Sequence, residues 1–94
     1  MAYRFEWDEN KARSNRIKHG VTFDEASSVF DDSSAKIFDD ELHSGEEHRE
    51  IVVGHSIKRR LLLVCFTERA NERIRIVSAR LPTVQERKTY EENI

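Results

Sequence analysis

Over residues 3–7 the chain alternates, with Tyr3, Phe5 and Trp7 on one side and Arg4 and Glu6 on the other, the period-two pattern of a short strand. The period then changes. Asp8 offers an N-cap, residues 11–18 are good helix formers, His19 falls in the last turn where a cation is favoured, and Gly20 can take the left-handed position that ends a helix. Thr22, Phe23, Asp24 and Glu25 form a T-x-x-E capping box, with Val21 and Ala26 spaced as a hydrophobic staple. Phe23, Ala26 and Phe30 then make one apolar stripe, which predicts a second helix over 23–30. From Ala35 onward the pattern is that of strands, over 36–40, 49–54, 60–67 and 73–79. Residues 61–66 are apolar at every position, as in a central strand covered on both sides. "SIKRR" and "ERANE" supply turns on either side of it, and a second T-x-x-E box, Thr83 to Glu86 after Pro82, opens a C-terminal helix. The order strand, two helices, four strands, helix predicts an α+β fold. Its mostly antiparallel sheet has four to five strands, and the two N-terminal helices and one C-terminal helix group against one face.

Composition narrows what such a fold can do. Ninety-four residues suit a single domain, 1–94. Hydrophobic residues make up 37% and charged residues 36%, against roughly 45–50% and about 25% in soluble domains, so the core is thin and a partner can supplement it. Cys65 is the single cysteine and cannot form an internal disulfide, and the N-terminus is too charged for a signal peptide. The longest apolar run falls far short of the ~20 residues a membrane helix needs. The expected location is cytoplasmic, with no membrane role. The net charge of −2 hides an asymmetry, because residues 1–20, 21–50 and 51–94 carry net +2, −8 and +4. A pI of 6.1 argues against non-specific coating of nucleic acid, so any such contact is local.

Three chemistries compete. The helix pair around Gly20 has the outline of a helix-turn-helix, but its second helix would carry Asp24, Glu25, Asp31 and Asp32 toward phosphates with no basic residue of its own. His43, His48 and His55 lie near Asp40, Glu46 and Glu47, yet spacings of five and seven match no standard zinc pattern; solvated loop histidines are the simpler account, and no metal is expected. Cys65 sits mid-strand as a small hydrophobe.

The third is an arginine set. Arg49 and Arg75 fall in strands that flank the central one, and Arg80 closes the last strand. Ion pairing with the acidic loop would explain one such arginine. Three on one sheet suit an anion better, because guanidinium forks match phosphate oxygens. Strict alternation, however, puts Arg75, Val77 and Ala79 on one face and Arg80 on the other unless the strand ends or bulges. Arginines on a rigid sheet can hold a scissile phosphate and stabilise the charge formed when a ribose 2′-hydroxyl attacks it, without a metal. A base and an acid are also needed, roles open to His19, His43, Glu46, Glu47 or Tyr90. Trp7 and Phe5 could stack on unpaired bases, although aromatic residues on a first strand are more often core.

The blocks "FEWDENKARSNRIKHGVTFDEA", "HSGEEHREIVVG", "LLLVCFTER", "IRIVSAR" and "ERKTYEE" together resemble the BrnT family of type II toxins over residues 5–90. The resemblance implies a RelE-like fold, a cofactor-free endoribonuclease activity that lowers translation, and neutralisation by a ribbon-helix-helix antitoxin of the BrnA type. It further implies a heterotetramer of two toxins and two antitoxins that touches promoter DNA only through the antitoxin. On this basis Arg49, Arg75 and Arg80 are expected to hold phosphate, His19 or His43 to handle a proton, and Glu47 to act as base or orient an arginine. Trp7, Lys18 and Tyr90 are expected to contact RNA. The alternative from another class is a non-catalytic interaction module whose arginines grip an acidic peptide.

Overall fold

The computed structural model describes residues 3–40, 45 and 47–92 of the chain. In chain order the elements are β1 (Arg4–Glu6), α1 (Glu9–His19), α2 (Phe23–Ser28) running into a 3-10 turn (Val29–Asp31), β2 (Lys36–Asp39), β3 (Glu50–His55), β4 (Leu61–Arg69), β5 (Arg73–Arg80) and α3 (Val84–Glu92). One five-stranded sheet has the order β1-β5-β4-β3-β2. Strands β2 to β5 form an antiparallel meander, and β1 joins its edge parallel to β5. The fold is α+β, and β4 is central, as the apolar run over its residues 61–66 requires.

Local chemistry sets the element ends. The Asp8 carboxylate accepts hydrogen bonds from the backbone N–H groups of Asn10 (2.8 Å) and Lys11 (3.1 Å), and Gly20 closes α1 with φ 69°. Thr22 Oγ1 accepts from the Glu25 N–H at 3.1 Å, but Glu25 does not complete that capping box. Its side chain turns inward to Arg60 and Ser56 and ties α2 to the β3–β4 turn. Between β4 and β5, Asn71 and Glu72 both take positive φ, the conformation a tight antiparallel hairpin demands.

The sheet buries both faces unequally. On one, Val52, Leu62, Val64, Phe66, Ile74, Ile76 and Ala79 meet Val21, Phe23, Ala26 and Val29, with Phe30 stacking edge-on against Phe66 at 5.0 Å. Gly54 lets β3 pass close beneath this layer, since a Cβ there would come within 2.8 Å of the Ala35 Cβ. On the other face Val53, Leu61 and Leu63 pack with Tyr90 of α3. The three helices therefore do not share one face. Alternation along β4 leaves Leu61 and Leu63 pointing away from α1 and α2, and α3 covers them. That cover extends over one end of the face only, and the other end carries the polar residues described next. Among the described residues no helix is long and apolar enough to cross a membrane.

Candidate functional site

A bulge in β5 decides which arginines share a face. Cys65 pairs with Ser78 but Phe66 pairs with Ile76, so Val77 is an extra residue opposite β4. Ile76 and Ala79 can then both enter the helix-side core, against Phe66 and Val64. The same extra residue returns Arg80 to the face of Arg75: Arg75 pairs with Thr67, and Arg80 pairs with Leu63, which lies on the α3 side.

The register lines up four residues across four strands. Arg49 directly precedes β3, where the pairing of Glu50 with Phe66 sets it opposite Thr67; Thr67 faces Arg75, and Arg75 faces Glu6 of β1. With strands about 4.8 Å apart, the Arg49 and Arg75 backbones are separated by roughly 10 Å. Their side chains line a cleft of about 390 Å³ together with Lys11, Glu47 and Thr67. Arg49 also borders a second cleft of about 340 Å³ that contains Asp40, Cys65, Ser78 and Arg80. One groove thus runs from Arg75 past Arg49 to Arg80.

Beyond the four-residue row lie Arg69 and Arg73, paired across β4 and β5. Glu6 accepts from Arg75 Nη1 at 3.2 Å and from Arg73 Nη1 at 3.3 Å, while Arg69 Nη2 donates to Glu47 at 3.0 Å. Lys11, Arg49, Arg69, Arg73 and Arg75 thus gather in and beside this cleft, where Glu6 and Glu47 pair with Arg69, Arg73 and Arg75, and Glu50 and Glu68 line the adjoining side. Pairs this exposed contribute little, up to about 1 kcal/mol each, so an entering anion can displace them.

Arg80 is held differently. It forms a fork on Glu86, with Nη1 to Oε1 at 2.8 Å and Nη2 to Oε2 at 3.0 Å. Glu86 in turn completes the second capping box, accepting from the Thr83 N–H at 2.8 Å while its own N–H donates to Thr83 Oγ1. The Arg80 bond above all, then the Thr83 bond, lowers the Glu86 carboxyl from its usual 4.5 to about 2. Because the folded value lies below the unfolded one, this pair stabilises the protein above pH 4.5 and its contribution fades as pH falls toward 2. Glu86→Gln is expected to lower stability by about 1 kcal/mol at pH 7, the cost of a cap and a partly exposed pair. The deficit should narrow by pH 2.5 in thermal melts, and a deficit that does not change with pH would contradict the pairing.

His19 and Lys18 line a neighbouring cleft that meets the groove at Val77 and Ser78, with Lys11 shared between the two. Glu47 lies in the groove itself. Trp7 does not: it packs edge-on against Phe23 at 5.8 Å in the helix-side core. Tyr90 is 5% exposed and its hydroxyl donates to the Ser34 carbonyl at 3.2 Å, so packing and that bond occupy the side chain. His43 and Glu46 lie outside the described residues. Of the remaining histidines, His55 lies 3.6 Å from Asp32. His48 approaches Asp39 at 3.0 Å, and Asp39, His48 and Glu50 could together offer a metal three ligand atoms within 4.8 Å of one another. Glu50 is raised by burial and by the nearby Glu68.

Sequence reasoning did not single out Glu6, Thr67, Arg69, Arg73 or Asn15. Asn15 is buried, and its amide bonds both the N–H (3.1 Å) and the carbonyl (2.8 Å) of Ala79. It thereby replaces the strand partner β5 lacks beyond β1 and holds the bulged end in place.

Comparison with known proteins follows the same outline. A family model described as "Ribonuclease toxin, BrnT, of type II toxin-antitoxin system" matches residues 7–86. No curated protein gives a significant match. Among solved structures, the chain is similar to the ribonuclease toxin BrnT of Brucella abortus, with 24% identity, a TM-score of 0.66, and coverage of 87% of this chain and 99% of that one. At that identity the likeness shows a common fold.

Proposed function

The chain belongs to the BrnT family of ribonuclease toxins of type II toxin–antitoxin systems, and from that premise we propose that it cuts RNA by metal-independent acid–base chemistry in the groove between Arg75 and Arg80. Family membership implies RNA as substrate and an antitoxin as partner. The observation that carries the mechanism is the cross-strand row Arg49, Thr67, Arg75, which lines one cleft at the end of the sheet away from Tyr90 of α3.

In this mechanism Arg49 and Arg75 grip the non-bridging oxygens of one phosphodiester and offset the charge that grows as the neighbouring 2′-hydroxyl attacks phosphorus. Glu47, which accepts a hydrogen bond from Arg69 before substrate enters, takes the 2′ proton. His19 returns a proton to the departing 5′-oxygen, and Lys18 beside it tracks the backbone. The P–O5′ bond breaks as the O2′–P bond forms, leaving a 2′,3′-cyclic phosphate and a 5′-hydroxyl. Arg80, committed to Glu86, holds the far end of the groove and contacts a flanking phosphate. The RelE-like activity lowers translation in the cytoplasm. A BrnA-type ribbon-helix-helix antitoxin neutralises it in an assembly of two toxins and two antitoxins that reaches promoter DNA through the antitoxin.

Incubating the purified chain with unpaired RNA in excess EDTA tests this directly. New products are expected at the rate seen without chelator. Products that vanish with EDTA would favour a metal nuclease, for which Asp39, His48 and Glu50 are the first residues to examine. No product above buffer would favour an interaction module whose arginines hold an acidic peptide.

A further inference from the structure

Thr67 is 3% exposed, and its Oγ1 has no hydrogen-bond partner among the described residues. Buried hydroxyls are nearly always bonded, and leaving one unpaired costs stability. Nothing about the strand requires this one, since valine has the same branching and suits β4 as well. Its position offers a reason. Thr67 is the middle residue of the row, with Arg49 opposite on one side and Arg75 on the other, and it forms part of both the cleft of Arg49 and Arg75 and the adjoining cleft of Arg69 and Arg73. Two residues along the same face, Arg69 Nε is also buried without a hydrogen bond among the described residues, its ion-pair partner Glu6 Oε2 lying 3.9 Å away.

We propose that Thr67 Oγ1 is a phosphate-binding group: it donates to a non-bridging oxygen of the phosphodiester held between Arg49 and Arg75. A neutral donor between two guanidinium groups gives the third contact that a tetrahedral anion accepts and the arginines alone leave free. The hydroxyl transfers no proton; it binds and positions. This rests on the RNA-cleaving function proposed above, and the ligand class is a phosphodiester of unpaired RNA.

The test compares wild type, Thr67→Val and Thr67→Ser in EDTA, using a 2′-O-methyl oligoribonucleotide that binds but cannot be cut, alongside thermal melts. The valine variant should melt at or above wild type and bind about tenfold or more weakly, the loss of one hydrogen bond to a charged group. Serine should restore binding to within about threefold. A valine variant that binds as tightly as wild type overturns the inference and leaves the nuclease proposal standing. So does one that melts far below wild type, since the hydroxyl would then serve the fold. If wild type itself fails to bind the oligonucleotide, RNA recognition at this groove falls, and the role of Thr67 falls with it.

Discussion

Arg75→Ala is expected to slow RNA cleavage by roughly 10²–10³-fold, the usual effect of removing one preorganised donor from a developing oxyanion, while the protein stays folded. The geometry makes the two effects separable. Arg75 bonds to Glu6 in a pair whose side chains are 34% and 30% exposed, and Glu6 keeps Arg73 at 3.3 Å when Arg75 is gone. The stability cost should therefore stay within about 1 kcal/mol. Arg75→Lys retains the charge but loses the planar fork, and should fall between the two. Single-turnover cleavage beside a thermal melt is the measurement. A folded alanine variant that cuts at the wild-type rate would remove Arg75 from the site.

Arg60→Ala is expected to lower stability by about 3 kcal/mol. The Glu25 side chain is 2% exposed and receives Arg60 Nε at 3.0 Å, a second bond from Arg60 Nη2, and Ser56 Oγ at 2.6 Å. The Arg60 bond is the largest influence holding its carboxyl below the usual range. Removing Arg60 leaves a buried carboxylate without its counterion, which costs about 3–5 kcal/mol; access of water through the half-open Arg60 site places the loss at the lower end. In a domain of this size that corresponds to a fall in melting temperature of roughly 12–20 °C. The sign with pH follows from the lowered Glu25 value: the pair stabilises above the unfolded pKa and loses its effect as pH falls. The gap between wild type and variant should shrink on acidification. A loss under 1 kcal/mol at pH 7 would mean that the pair does not hold α2 to the β3–β4 turn.

How much could be read in advance differs residue by residue. The caps at Asp8, Gly20, Thr22 and Thr83 were legible because each is a local hydrogen-bond arrangement written in a few adjacent residues. The central strand was legible because apolar residues on both of its faces have no other stable use. The bulge at Val77 was not, since "IRIVSAR" fits two registers and only packing of Ile76 and Ala79 against Phe66 and Val64 selects between them. Glu25 looked like the second half of a capping box, and a partner 35 residues away outcompeted the local bond. Glu6 is joined to the arginines by a parallel pairing of chain segments 69 residues apart, which local pattern cannot reveal. Thr67 is an ordinary strand residue by type, and what sets it apart is its position between two arginines with no hydrogen bond to its hydroxyl among the described residues. Trp7 and Tyr90 have the chemistry to stack on bases; Trp7 packs partly buried against Phe23, and Tyr90 packs against Leu61, Leu63 and Val53.

The central claim is that a 2′-hydroxyl does the cutting while the Arg49–Thr67–Arg75 row holds the phosphate. End-group analysis of RNA cut in EDTA, repeated on a strand with a single 2′-deoxy nucleotide at the cut position, addresses it most directly. Products ending in 2′,3′-cyclic phosphate and 5′-hydroxyl, with no cutting at the deoxy position, are predicted. Products ending in 3′-hydroxyl, or undiminished cutting at the deoxy position, would contradict it.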